Sequence, residues 1–194
     1  PGSSGINDAI RYKRKEWRYI RDGNLLQVGR CYLSSNKGQT VFTVKTKKLA
    51  VDLLFASGTK AIKPPGHRIA VDDDEFFASR ILIPWSSLNA VVKVKGRTRH
   101  SQGMGYLDHT HSNTRLPKVA DRWIRVRGFY GPQKALIELR YPPKNNRAKG
   151  WFYTAKTPKP AALTPGSLVA KENRGRISFS LPTPDGTIRI ETSK

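Results

Sequence analysis

Polar and apolar positions alternate along much of this chain with a period of two. Val92 and Val94 alternate with Lys93 and Lys95, and Ile137, Leu139 and Tyr141 with Glu138 and Arg140. Ile177, Phe179 and Leu181 alternate with Ser178 and Ser180, while Val51, Leu53 and Phe55 share one parity with Asp52 on the other. Successive side chains of a strand point to opposite faces, so this period places one set in a core and the other in water. It predicts strands over 16–21, 24–34, 39–46, 48–56, 75–84, 88–100, 121–130, 134–141, 149–157, 175–181 and 186–191. Turn chemistry separates them at Asp22-Gly23-Asn24, Asn36-Lys37-Gly38, Lys63-Pro64-Pro65-Gly66, Gly131-Pro132, Pro142-Pro143-Lys144-Asn145-Asn146 and Pro184-Asp185-Gly186. Apolar stripes at helical spacing are rare. Asn7 to Glu16 reads as a short helix and Pro117 to Asp121 as a single turn. Many short strands at this spacing predict an all-β fold, an antiparallel lipocalin-like β-barrel, whose closure would remove exposed strand edges.

The chain divides into three stretches. Residues 1–10 read as a disordered end or scar; there is no methionine at the start, and Pro1-Gly2-Ser3-Ser4-Gly5 resembles a processed, excised or tagged end. Residues 11–164 form the expected barrel domain, closed off by the proline-containing stretch Thr157 to Pro165. Residues 165–194 hold closing strands or the truncated start of a second barrel. With 194 residues the chain can bury one sizeable core. One cysteine, Cys31, precludes an internal disulfide framework and reads as a core residue of a strand. No apolar run approaches the roughly 18 residues of a helical membrane span.

Charge adds a statement about partners. Thirty-six Lys and Arg against 14 Asp and Glu leave a formal net charge of +22. The basic sets are Arg11, Lys13, Arg14, Lys15, Arg18 and Arg21; Lys93, Lys95, Arg97 and Arg99; and Arg115, Lys118, Arg122, Arg125 and Arg127. Such a surface attracts nucleic acid or an anionic membrane, through contacts expected to be weak and indifferent to sequence. No zinc-finger spacing, aromatic RNA-binding signature or basic heptad helix accompanies it. The acidic run Asp72-Asp73-Asp74-Glu75 lacks the alternation of a calcium loop and reads as a solvated loop balancing nearby arginines.

The chemistry concentrates in Gly103-Met104-Gly105-Tyr106-Leu107-Asp108-His109-Thr110-His111-Ser112-Asn113. Gly103 and Gly105 bracket Met104, as a bulge or a close backbone approach would require. Continuing the parity of Val92 and Val94 turns His100, Gln102, Met104, Tyr106 and Asp108 inward; a glycine bulge would instead turn in His109 and His111. Titratable groups inside an apolar barrel have shifted proton affinities and are site candidates.

These residues resemble the carotenoid-hydratase and AttH-like lipocalin-like family, which includes hydroxyneurosporene synthase (CrtC), attachment-associated proteins, fungal survival-factor proteins and some fungal pericyclases. The resemblance spans about Trp17 to Lys156. It is strongest from Ile81-Leu82-Ile83-Pro84 through Gly103–His109 to Arg122-Trp123-Ile124-Arg125. The family pattern commonly runs Gly-Tyr-x-Asp-His-Asn-Trp-Gly, and its Trp position carries His111 here. Family members usually hold two consecutive barrels, which implies that this chain holds the first and the beginning of the second.

Two readings of the segment stay open. Asp108 acts as a proton donor, with His109 orienting it or activating water and Tyr106 offering a ring face, in a hydratase or isomerase. Alternatively Asp108 and His109 form a hydrogen-bonded pair that ties a barrel corner. Trp85, Met104, His111 and Trp123 are the expected ligand-binding residues, and Trp17 and Trp151 the remaining core or wall tryptophans. His109 and His111 have metal-ligand spacing, but no Glu lies between His111 and Glu138 to complete a cupin-like set, and neither metal nor cofactor is expected. The expected function is binding of a small apolar or amphipathic ligand of lipid or isoprenoid type in the barrel. The alternative is a basic β module for nucleic acid or an anionic membrane surface.

Overall fold

The computed structural model describes residues 10–20, 24–36, 38–56, 60–145, 147, 149–157, 159–163, 169–173, 176–183 and 186–191. The expected disordered end thus lies, but for residue 10, outside the described residues, as do the turns at Asp22-Gly23 and Pro184-Asp185. Most of the described residues lie in strands, which makes the fold all-β. The strand pairings are antiparallel and fall into three sheets. Among the described residues none of these sheets closes on itself, so no closed barrel is present. No helix among the described residues is long and apolar enough to cross a membrane.

The first sheet is an up-and-down meander of β1 (Trp17–Ile20), β2 (Leu25–Val28), β3 (Cys31–Asn36), β4 (Gln39–Lys45) and β5 (Leu49–Ala56). It continues through β7 (Phe76–Val94), which pairs β5 by residues 87–94 and the short β6 (Arg68–Ala70) by residues 76–78. β8 (Arg97–Ser112) pairs β7. The second sheet has the order β12 (Ala161–Ala162), β11 (Lys149–Thr154), β10 (Gln133–Tyr141), β9 (Arg122–Tyr130). β13 (Val169–Asn173), β14 (Arg176–Thr183) and β15 (Gly186–Glu191) form the third. The one-turn helix α1 (Leu116–Val119) stands where a single turn is expected, whereas the short helix expected over Asn7 to Glu16 is reduced, among its described residues, to a 3-10 turn at Arg14–Glu16, with residues 10–13 not helical.

Turns explain where strand boundaries depart from the sequence reading. The stretch 24–34 is two strands, because Gly29 takes a left-handed φ of 55° and folds the chain back. β7 runs 19 residues without a break through Pro84, whose side chain is fully buried. Proline is tolerated in a strand where its missing N–H has no ladder partner to serve. The stretch 88–100 is instead broken at Lys95-Gly96, where both residues have positive φ, 49° and 77°. That pair gives the mirror-image turn whose twist matches a β-hairpin.

By contact density the chain forms two units. The first comprises residues 1–60 and 83–107, and the second residues 61–82 and 108–194. In the first, Phe55 is 2% exposed and fully buried Thr43 donates its hydroxyl to Asp52 at 2.6 Å. In the second, Ile137, Leu139, Phe152 and Leu163 form a core with Ile124, Val126 and Ala161 packed against it.

Candidate functional site

The glycine-bracketed segment is the second half of β8. Gly105 is buried, and a methyl group built there would stand 2.6 Å from Cε1 of Phe55 and 3.1 Å from Cβ of Leu88. This is the close approach expected of the motif. Gly103 has open space around it. His100, Gln102 and Met104 are exposed, as is every residue from Arg97 to Met104, so the first half of β8 has no buried face and the parity expected from Val92 and Val94 turns none of these three inward. Trp85, Met104 and Tyr106 belong to the first unit, with Trp85 buried and Tyr106 half-buried.

Asp108, His109, His111 and Trp123 belong to the second unit. Asp108 is half-buried, and His109 and His111 are exposed. The structure brings the two imidazoles together, stacked at 5.4 Å between ring centroids. His111 also meets the edge of Phe76 at 5.3 Å, and the Arg68 guanidinium lies 4.0 Å from the centre of the Phe76 ring. Among the described residues no group of three His, Cys, Asp or Glu gathers as metal ligands would.

The start of β7 is tied to the end of β8 by side chains. Phe76 N–H donates to Asn113 Oδ1 at 2.7 Å, and Asn113 Nδ2 donates to the Asp74 carbonyl at 2.7 Å. Glu75 accepts from Lys118 Nζ and from the Thr114 hydroxyl, each at 2.8 Å, and Lys118 also reaches Asp72 at 3.4 Å. The hydrogen bond from Lys118 holds the Glu75 carboxyl below its ordinary range, with Thr114 adding to it, and Glu75 in turn raises the Lys118 amine. The acidic run is thus anchored by a lysine, where arginines were expected.

The most unusual face lies on the second sheet. Cross-strand partners share a face, so register sorts its side chains. One face carries Ile124, Val126, Ile137, Leu139 and Phe152, the apolar core. The opposite face carries Trp123, Arg125, Glu138, Arg140 and Trp151, from Trp123↔Arg140, Arg125↔Glu138 and Glu138↔Trp151. Alternation predicts Glu138 and Arg140 in water. Instead Glu138 is 5% exposed and Trp151 4%, because β10 is buried on both faces. Arg125 Nε donates to Glu138 Oε2 at 3.0 Å.

Trp123 is the centre of this cluster. Phe77 packs on it at 5.2 Å between centroids, tilted by 50°. The guanidiniums of Arg125 and Arg140 lie 5.1 and 5.7 Å from the centre of its ring. Burial pushes the Arg140 guanidinium below its ordinary value; Glu138 opposes that shift and Arg125 adds to it. Trp123 Nε1 and Arg140 Nε are both buried and have no hydrogen-bond partner among the described residues. The sequence marks Trp123 as a site candidate but places Glu138 and Arg140 in water and does not show their juxtaposition with it. The only sequence signal was an acid inside the apolar run Leu136–Leu139. Comparison with known protein families, with curated proteins and with solved structures finds no match to this chain.

Proposed function

We propose that this protein binds a small amphipathic ligand, apolar over most of its length, against the Trp123 and Trp151 face of the second sheet. The observation that carries the reading is the mixed chemistry of that face. A solvated surface does not bury Trp151 and Glu138, and an apolar core does not hold two guanidiniums beside three aromatic rings. Sites for small ligands combine aromatic walls with a few polar groups that fix orientation. The lipocalin-like architecture and the carotenoid-hydratase and AttH-like kinship are part of the same proposal. They are supported by the up-and-down order of β1 to β5 and by Gly105-Tyr106-Leu107-Asp108-His109. In an enzymatic form, hydration or isomerisation, half-buried Asp108 is the proton donor.

The test is titration with N-phenyl-1-naphthylamine, a neutral aromatic probe whose fluorescence rises in apolar surroundings. Saturable binding to one site, unchanged at about 0.5 M salt where surface charge is screened, is the expected result. Absence of saturable binding, or an unchanged affinity in Trp123→Leu, would count against this face as the site.

A specific observation also favours the polyanion reading. β1 ends its sheet, and Trp17, Tyr19 and Ile20 on it are 46%, 60% and 41% exposed. Exposed Arg11, Lys13, Arg14, Lys15 and Arg18 stand in the same stretch. Rings that stack on bases, interleaved with cations, suit single-stranded nucleic acid. On that reading, affinity for a short single strand falls with salt by about 0.7 log units per phosphate neutralised, for each tenfold rise in salt. A salt-independent complex would refute it.

A further inference from the structure

The geometry points to an anion-binding site on the second sheet at which Trp123 Nε1–H and Arg140 Nε–H together hold the carboxylate of an amphipathic ligand. The inference rests on the ligand-binding reading above and names the head group that the ligand carries.

Three observations converge. First, both donors are buried and lack a partner among the described residues. Leaving a buried donor unsatisfied is costly, and native structures rarely do so without a reason. Second, the two donors sit on directly paired residues of neighbouring strands and on one face. A single planar group with two acceptor oxygens matches that arrangement. Third, the charges on this face are unbalanced. By register the face carries Arg125, Arg127, Arg140 and Lys149 against one carboxylate among the described residues, Glu138, which Arg125 already holds at 3.0 Å, while Arg140 lies 5.7 Å from the centre of the Trp123 ring. Cations on this face thus outnumber carboxylates, and a monoanion beside half-buried Arg140 offsets part of that excess. Burial lowers the Arg140 guanidinium from its ordinary value, and a bound anion would offset that penalty.

Position specifies the rest of the ligand. Phe77 covers Trp123, and Trp151 lies beside Glu138 on the same face, so a chain leaving the carboxylate meets rings. Gly66 adjoins the guanidinium: a methyl group built there would stand 3.1 Å from Arg140 Nη2. The matching chemistry is a fatty-acid-like molecule, an apolar body ending in one carboxylate.

The experiment compares dodecanoate with dodecanol by equilibrium dialysis against the whole chain at about 0.5 M salt, where long-range attraction to the basic surface is screened. Wild type should prefer dodecanoate by about tenfold or more, the value of one charge-assisted hydrogen bond. Trp123→Phe keeps the ring and removes the N–H. Arg140→Lys keeps the charge and removes the paired Nε–H. Each should lose most of the preference, read as the ratio of the two affinities, while the far-ultraviolet circular dichroism spectrum stays that of wild type and so reports that each variant is folded. Equal affinity of wild type for the two probes would overturn the carboxylate assignment. So would a preference retained in both variants, which would trace it to overall charge. If wild type binds neither probe, the ligand-binding reading itself falls, and the carboxylate assignment with it.

Discussion

Replacing Gly105 by alanine tests the packing account of the motif segment. The added methyl would stand 2.6 and 3.0 Å from two carbons of the Phe55 ring and 3.1 Å from Leu88 Cβ. Carbon pairs prefer about 3.5–4.0 Å, so the ring has to move by roughly 1 Å. Phe55 is 2% exposed and cannot swing into solvent without leaving the core. Overpacking of this kind costs about 1–3 kcal/mol, and the smaller entropy of an unfolded alanine returns about 0.4–1 kcal/mol. The net expectation is a loss of about 1–2 kcal/mol, a urea midpoint lower by roughly 0.5–1 M when followed by circular dichroism. Gly103→Ala is the control, since nothing lies within 4 Å of its added methyl. It should stay within about 0.5 kcal/mol of wild type. In a Phe55→Leu background the methyl enters vacated space, so the double variant should be less damaged than the sum of the singles by about 1 kcal/mol. Equal midpoints for Gly103→Ala and Gly105→Ala, or strict additivity with Phe55→Leu, would refute the reasoning.

Other expectations follow from the second unit. Glu138→Gln keeps the shape beneath Arg125 but leaves two guanidiniums without a counter-charge. It should cost about 2 kcal/mol in urea unfolding, below the full buried-pair value because the Arg125 side chain is 38% exposed. Gly150→Ala would drive a methyl into the backbone carbonyl of Glu138, which cannot rotate away, so loss of the tryptophan signal of folding is expected in this variant. Glu75 has its proton affinity lowered by Lys118 and Thr114, so its contribution is present above the ordinary glutamate range near pH 4.3 and fades as pH falls below it. Carboxyl titration by nuclear magnetic resonance should show Glu75 moving back toward ordinary values in Lys118→Met.

Much of the fold is legible in the sequence because alternation and turn residues are local signals. β4 and β5 fall within a residue of their expected bounds, and the turns at Gly38 and Gly131 stand where glycine supplies a positive φ. What local signals miss is pairing. Lys95-Gly96 is a hairpin turn without the Asn-Gly or Asp-Gly pair that marks one most strongly, so one expected strand is two. Closure of a barrel depends on a first and last strand meeting, which alternation says nothing about, and the described sheets stay open. The candidate site divides in the same way. Trp123 is expected at a ligand wall, and the structure places it half-buried against Phe77 and two guanidiniums. Arg140 looked solvated because alternation assigns the partners of Leu139 and Tyr141 to water, and only the β9–β10 register places it against Trp123. The Asp108 and His109 pair was read from a motif, and the structure leaves Asp108 half-buried and His109 exposed.

The most direct test of the ligand site reads the indole N–H of Trp123. The chain has four tryptophans, so a nitrogen-15 correlation spectrum shows four indole signals, and Trp123→Phe identifies one of them. On titration with dodecanoate, the account predicts that this proton moves downfield with single-site saturation as it gains an acceptor, while the other three indoles move far less. A Trp123 indole signal that stays in place at saturating dodecanoate, or four indoles that drift together without saturating, would contradict it.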